Sequence, residues 1–212
     1  MWDERYAADD YVYGTEPNQF LREVIDARLA EAGLVAFAMA ESEAAPRALC
    51  LAEGEGRNAV YLAGLGFDVT AVDASAVGMA KAQRLAAMRG VGIRTVTSDL
   101  ADFSIQPAAW DLIVSIYTHL RPTLRPQVHA AVVSGLRPGG WFVLEGYSPA
   151  QAGRGTGGPA RPELLMALRD LRDELAGLQF DLAQACERDV VEGRFHTGWA
   201  AVVQIVARKP AP

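Results

Sequence analysis

Two cysteines, three histidines and a shortage of positive charge set the first limits on this chain of 212 residues. Cys50 and Cys186 lie far apart, and Cys50 falls in a segment that reads as a buried strand, where a thiol behaves as a small hydrophobe; neither a disulfide nor a metal is expected. With 26 acidic residues against 20 basic ones the formal net charge is −6. Such a surface repels phosphate backbones, which need a basic stripe to displace their counterions, so no nucleic-acid partner is expected. No apolar run reaches the length of a membrane span, which argues against a membrane partner. Met1-Trp2-Asp3-Glu4-Arg5-Tyr6 lacks the cationic start and apolar stretch of a secretion signal, so the expected compartment is the cytoplasm. Aromatic residues are also scarce at 8%, yet half the chain is apolar, so its core must be aliphatic and disorder is excluded.

The aliphatic residues are arranged in a rhythm. Short runs at 48–52, 68–72, 93–97, 111–115 and 141–145 read as strands, and helical spacing fills 58–63, 75–89 and 125–136. Runs such as Leu112-Ile113-Val114 carry no polar alternation, the mark of strands buried on both faces. Alternation of this kind builds right-handed crossovers and a doubly wound, mostly parallel α/β sheet of Rossmann-like form. One domain over residues 1–212 suits the length, with no repeat and no second boundary. Within it, 1–35 reads as an N-terminal flap with a covering helix (18–33), 36–47 as a surface connector, and 47–147 as a ligand-binding core. Residues 148–212 comprise a glycine-rich loop (151–159), a helix from Arg161 to about Leu175, and two strands flanking Glu192-Gly193 that form an antiparallel edge hairpin, giving a seven-stranded sheet.

Chemistry is concentrated at the carboxyl ends of the strands, where ligands enter open α/β sheets. After the first strand, Glu53-Gly54-Glu55-Gly56-Arg57-Asn58 places two glycines before a helix, where missing side chains let a ligand approach the backbone. Seventeen residues after Gly56, Asp73 closes the second strand, where a carboxylate can accept both hydroxyl hydrogens of a ribose; it, or the nearby Ser75, can equally cap the following helix. Asp99 follows the third strand and can accept an adenine amino hydrogen, or serve as a solvated turn residue. Ala59 stands where a dinucleotide site has its third glycine, and Glu53 and Glu55 would repel a pyrophosphate while suiting an ammonium group.

In order and spacing, 48–63, 69–75, Ser98-Asp99-Leu100, 110–115 and Leu136-Arg137-Pro138-Gly139-Gly140 resemble the successive motifs of class I S-adenosylmethionine-dependent methyltransferases. More narrowly, Tyr13-Gly14-Thr15-Glu16-Pro17-Asn18, 54–59 and Gly157-Gly158-Pro159 resemble the tellurite-resistance (TehB-like) methyltransferases. The resemblance implies that S-adenosylmethionine is the cofactor. It places Glu53, Gly54 and Gly56 at the methionine end, Asp73 on the ribose, Asp99 and Leu100 at the adenine, and Ser115 beneath the sulfonium, with Asn58, Ala74, Ser75 and Tyr13 completing the cofactor set. The family's first strand often carries an acid where Cys50 stands and a glycine where Ala52 stands, which leaves Glu53 to meet the cofactor's amino group.

On the acceptor side, Tyr117 and His119 follow the fourth strand and are the catalytic candidates. His119 can take a proton from a thiol or bind an oxyanion, or it can cap the helix that begins near Pro122. Tyr147, Arg154, Arg161 and His196 lie in the variable tail and are the substrate-binding candidates, the arginines for a carboxylate or oxyanion. Trp2, Tyr6, Tyr11 and Tyr13 cluster on the segment expected to fold over the site, and His129, midway along a helix, is expected to be structural. The leading reading is methyl transfer to a small-molecule acceptor, a thiol or a tellurite- or selenite-type oxyanion, by a monomer or homodimer. A nicotinamide-dependent oxidoreductase and a cofactor-binding regulator without turnover are the alternatives.

Overall fold

The computed structural model describes residues 2–29 and 45–211. Its elements are α1 (Trp2–Tyr6), α2 (Gln19–Val24) running into a π-helical turn (Ile25–Leu29), β1 (Arg47–Leu51), α3 (Arg57–Gly64), β2 (Asp68–Asp73), α4 (Ala76–Met88), β3 (Arg94–Thr97), β4 (Trp110–Ile116), α5 (Arg125–Gly135), β5 (Leu136–Tyr147), α6 (Leu168–Glu174), β6 (Gln179–Val191) and β7 (Thr197–Arg208). Seven strands form one sheet in the order β3-β2-β1-β4-β5-β7-β6. β1 to β5 pair in parallel, and β7 runs antiparallel to both β5 and β6. The expected doubly wound sheet closing in an antiparallel hairpin is therefore observed. No described helix is long and apolar enough to cross a membrane, and Cys50 and Cys186 are free thiols.

Strand period divides the core into two layers. Ala48 and Cys50 of β1 pack with Phe20, Leu21, Val24 and Ala82 on one face, while Leu49 and Leu51 pack with Leu100, Val128, Val132 and Leu171 on the other. Burial on both sides explains why these strands carry no polar alternation. Side-chain caps set the helix starts: Asn18 Oδ1 accepts from Leu21 N (2.8 Å) at α2, and Ser75 Oγ accepts from Gly78 N (3.0 Å) at α4.

Two expectations are corrected. The strand expected over 141–145 begins earlier, at Leu136, the residue on which the helix expected over 125–136 was to end; Leu136 pairs with Trp110 before a register shift, and Gly139, at φ 81°, absorbs the bend. The helix expected from Arg161 to Leu175 is instead a 3-10 turn at Pro162–Leu164 and the short α6. Competing partners break it: the Leu164 carbonyl accepts from His119 Nδ1 (2.9 Å) and the Met166 amide donates to the Tyr147 carbonyl (2.9 Å), which draws 165–167 out straight. The far end of the helix expected over 18–33, and most of the 36–47 connector, lie outside the described residues.

Candidate cofactor crevice and acceptor pocket

β1 and β2 end side by side, and the turns beyond them share one set of hydrogen bonds. Asp73 is buried; its Oδ2 accepts from Gly54 N (2.9 Å) and its Oδ1 from Ser75 N (2.8 Å). Burial raises its pKa against the pull of these two amides. Ser98 N donates to the Asp73 carbonyl (2.9 Å), which sets the β3 turn beside β2; there Asp99 is exposed, with Oδ1 accepting from Ala101 N (2.9 Å), while Leu100 is buried beneath it. The carboxylate of Glu53 is folded back: Oε1 accepts from Asn58 N (2.8 Å) and Ala59 N (2.9 Å), capping α3 in place of Gly56, whose left-handed φ of 95° carries no side chain to do so. With burial the dominant cause, the Glu53 carboxyl rises to about 7. Ala52 takes a left-handed φ of 48°, so the strain that a glycine would avoid at this position is present. Ser115 is buried within β4 opposite Leu51, and Ala74 is exposed at the β2 exit.

Protein contacts by themselves require the two turn glycines. A Cβ on Gly56 would stand 2.6 Å from Cβ of Ala82 on α4, and one on Gly54 would stand 2.7 Å from Tyr6 Oη. The N-terminal flap therefore covers the crevice. Asp3 Oδ1 accepts from Ser75 Oγ (2.5 Å), and Lys81 Nζ donates to the carbonyls of Tyr6 (3.3 Å), Ala8 (2.8 Å) and Asp10 (2.6 Å). Glu55 does not face the crevice, where it was expected to suit an ammonium. Its Oε1 meets Lys81 Nζ at 2.5 Å, and its Oε2 accepts from the amides of Val12 (2.8 Å) and Tyr13 (3.4 Å). Asn58 Oδ1 accepts from Asn18 N (2.9 Å) and so ties α3 to the start of α2.

Across the carboxyl ends of β4 and β5 lies an aromatic cluster. Ring centroids are 4.8 Å apart for Tyr117 and Tyr147, 4.3 Å for Tyr117 and His196, and 4.5 Å for Tyr13 and His196. Tyr117 sits at φ 53°, an uncommon conformation for a bulky residue that marks a locally constrained position. Tyr117 Oη, Tyr147 Oη, His196 Nδ1 and Arg57 Nη1 are buried and have no hydrogen-bond partner among the described residues. Burial, then the Arg57 charge, pushes the His196 imidazole down to about 3. His119 lies beside Tyr147, but both its nitrogens are engaged: Nδ1 with the Leu164 carbonyl and Nε2 with Tyr147 N (3.4 Å), which fixes the neutral Nδ1–H form. Burial lowers this imidazole to about 4. The two arginines expected to bind substrate, Arg154 and Arg161, fall outside the cluster. Arg154 pairs with Glu187 (2.5 Å), clamping the glycine-rich loop to β6, and Arg161 is exposed. His129 Nδ1 meets Glu174 Oε2 at 2.6 Å, beside the two-pronged Arg125 pair, a structural role.

A buried ion network beneath this cluster was not anticipated. Glu145 on β5 is fully buried and accepts from Arg188 (2.8 and 2.7 Å), Gln204 (2.8 Å) and Asn18 (2.6 Å). Arg188 also reaches Glu192 (2.7 Å), which in turn binds Arg57 Nη2 (2.7 Å). Burial alone would raise the Glu192 carboxyl, but Arg57 and Arg188 hold it at about 2. The available signal was Glu145 itself, an acid within an apolar strand, which demands a cation.

Residues 48–140 match the family described as a methyltransferase domain. No curated protein sequence matches the chain. Among solved structures, the chain is similar to a protein studied for the conversion of a disulfide bond into a thioacetal group during echinomycin biosynthesis (TM-score 0.71, 19% identity, covering 99% of this chain and 91% of that one). It is similar to TehB from Haemophilus influenzae (TM-score 0.64, 20% identity, 91% of this chain and 66% of that one). It is also similar to the N-methyltransferase NodS from Bradyrhizobium japonicum WM9 in complex with S-adenosyl-L-homocysteine (TM-score 0.65, 20% identity, 98% and 96%). The chain thus shares the fold of these proteins along nearly its whole length.

Proposed function

We propose that the protein transfers the methyl group of S-adenosylmethionine to a small-molecule nucleophile bound among Tyr117, Tyr147 and His196, with a thiol as the first choice and a tellurite- or selenite-type oxyanion as the second. One observation carries the reading: a methyltransferase domain whose β2 ends in the buried carboxylate of Asp73 faces, across the sheet edge, a cluster of unpartnered polar atoms. The residues fit the cofactor. On this reading Asp73 takes the ribose hydroxyls and Asp99 with Leu100 the adenine, while the sulfonium supplies an already activated methyl group. The protein's task is to align the acceptor for in-line displacement and exclude water. His119 acts as a strut rather than as a base, since both nitrogens are committed to the backbone. Sulfur as the acceptor is supported by the neighbour concerned with a disulfide, and the oxyanion by the likeness to TehB.

Titration with S-adenosylhomocysteine tests the reading. Binding is expected, and Asp73→Ala should weaken it by about 1.5–3 kcal/mol through loss of hydrogen bonds to a charged acceptor. Preferential binding of NAD would defeat the proposal. Methyl release over thiols, tellurite and selenite completes the test, and tight cofactor binding without turnover on any of them would favour a regulator.

A further inference from the structure

We infer that Arg57, Tyr117, Tyr147 and His196 form an anion-binding pocket, so that the preferred acceptor carries a carboxylate or comparable oxyanion group beside its nucleophilic atom. The inference rests on the methyl-transfer reading and narrows its substrate class. Three of the four unpartnered atoms, Arg57 Nη1 and the two phenol oxygens, present hydrogens, and the Arg57 and Tyr147 side chains are nearly or wholly buried. Buried donors left unmade are costly, and a charged oxygen is the partner that satisfies several at once. Burial and the nearby Glu145 and Glu192 raise both phenols, which therefore stay protonated and donate.

Those two acids do not turn the pocket against anions. Glu192 is paired with Arg57 and Arg188, and Glu145 with Arg188, so two carboxylates are matched by two guanidiniums, and Arg57 keeps Nη1 uncommitted. A cationic acceptor would gain the aromatic faces but meet the Arg57 guanidinium, the strongest charge felt by His196. An imidazole as weakly basic as His196 is also a poor proton acceptor, which favours an acceptor arriving as its anion. Gly157, packed against Tyr147 Oη, also lines two cavities of about 290 and 320 Å³, one extending to Leu165 and the other to Phe195.

Calorimetric titration with thioglycolate, 2-mercaptoethanol and selenite, with and without S-adenosylhomocysteine, tests the inference. Thioglycolate should bind at least about tenfold more tightly than 2-mercaptoethanol, the value of one charge-assisted hydrogen bond. Selenite binding without thioglycolate binding would assign the pocket to inorganic oxyanions. Tyr147→Phe removes an unpartnered hydroxyl and keeps the ring, so the melting temperature should hold or rise while the preference for the anionic ligand falls several-fold. Equal affinity for the two thiols with no binding of selenite, or an unchanged preference in Tyr147→Phe, would overturn the inference. Failure of S-adenosylhomocysteine to bind would strike the methyl-transfer reading instead, since anion preference is read separately without it.

Discussion

Glu53 shows how one side chain can serve geometry at the expense of charge. Its Oε1 caps α3 through two amides, yet burial lifts its carboxyl to about 7. A folded pKa above the ordinary 4.5 means that the native state holds its proton more firmly, so the contribution to stability is complete below about pH 4.5 and is lost as pH rises through 7. Glu53→Gln keeps a carbonyl oxygen for the two amides and removes the buried charge. Chemical denaturation should show the variant more stable than the parent by about 1–3 kcal/mol at pH 8, with little difference at pH 4.5. A gain that is the same at both pH values would mean the charge is not the cause. Cys50 adjoins this carboxyl, and burial raises its thiol well above the usual range, which agrees with the expectation that it packs as a small hydrophobe.

At the scale of elements, the flap is fastened by an ion pair placed where neither partner was recognisable from sequence. Glu55 reads as a ligand-facing acid because it stands between two glycines, but α3 starts one residue after Gly56 and turns it toward Lys81 of α4. Both side chains are buried, and Lys81 also gathers three flap carbonyls. Lys81→Met should leave Glu55 uncompensated and cost about 3–5 kcal/mol, the range for breaking a buried pair. Hydrogen exchange at Val12 and Tyr13, whose amides Glu55 holds, should quicken far more than exchange in β4; uniform loss of protection would refute a local clamp. The tail helix was misread for a similar reason. Its apolar spacing is helical, but partners distant in sequence, His119 and the Tyr147 carbonyl, compete for the backbone of 164–166.

For the whole molecule, what was legible follows sequence distance. The sheet shows itself through aliphatic runs and glycine turns within a few residues, so its doubly wound, mostly parallel form and closing hairpin could be read. Asp73 and the β1 turn are likewise local. The network joining Arg57, Glu145, Arg188 and Glu192 spans most of the chain, and its pairing exists only after β5, β6 and α3 have met. Acid sensitivity should report on it. Glu174 and Glu192 are each held near 2 against an ordinary 4.5, so their stabilisation is full above about pH 4.5 and lost as pH falls toward 2. His119 and His196, at about 4 and 3 against 6.5, lose theirs as pH falls below 6.5, while Glu53 gains between 7 and 4.5. The two histidines outweigh the one glutamate, so the melting temperature should decline gently from about pH 7 to 5 and steeply below about pH 4.5. An equally steep decline over both ranges would show that Glu53 does not oppose the histidines.

The Tyr6 hydroxyl standing over Gly54 has a kinetic meaning. A ligand that needs that spot waits for the tyrosine to withdraw, so its apparent affinity is scaled by the fraction of molecules already open, and its capture rate levels off at the opening rate however concentrated it becomes. Asp3 and Lys81, which never need to touch the ligand, then govern how quickly the protein loads.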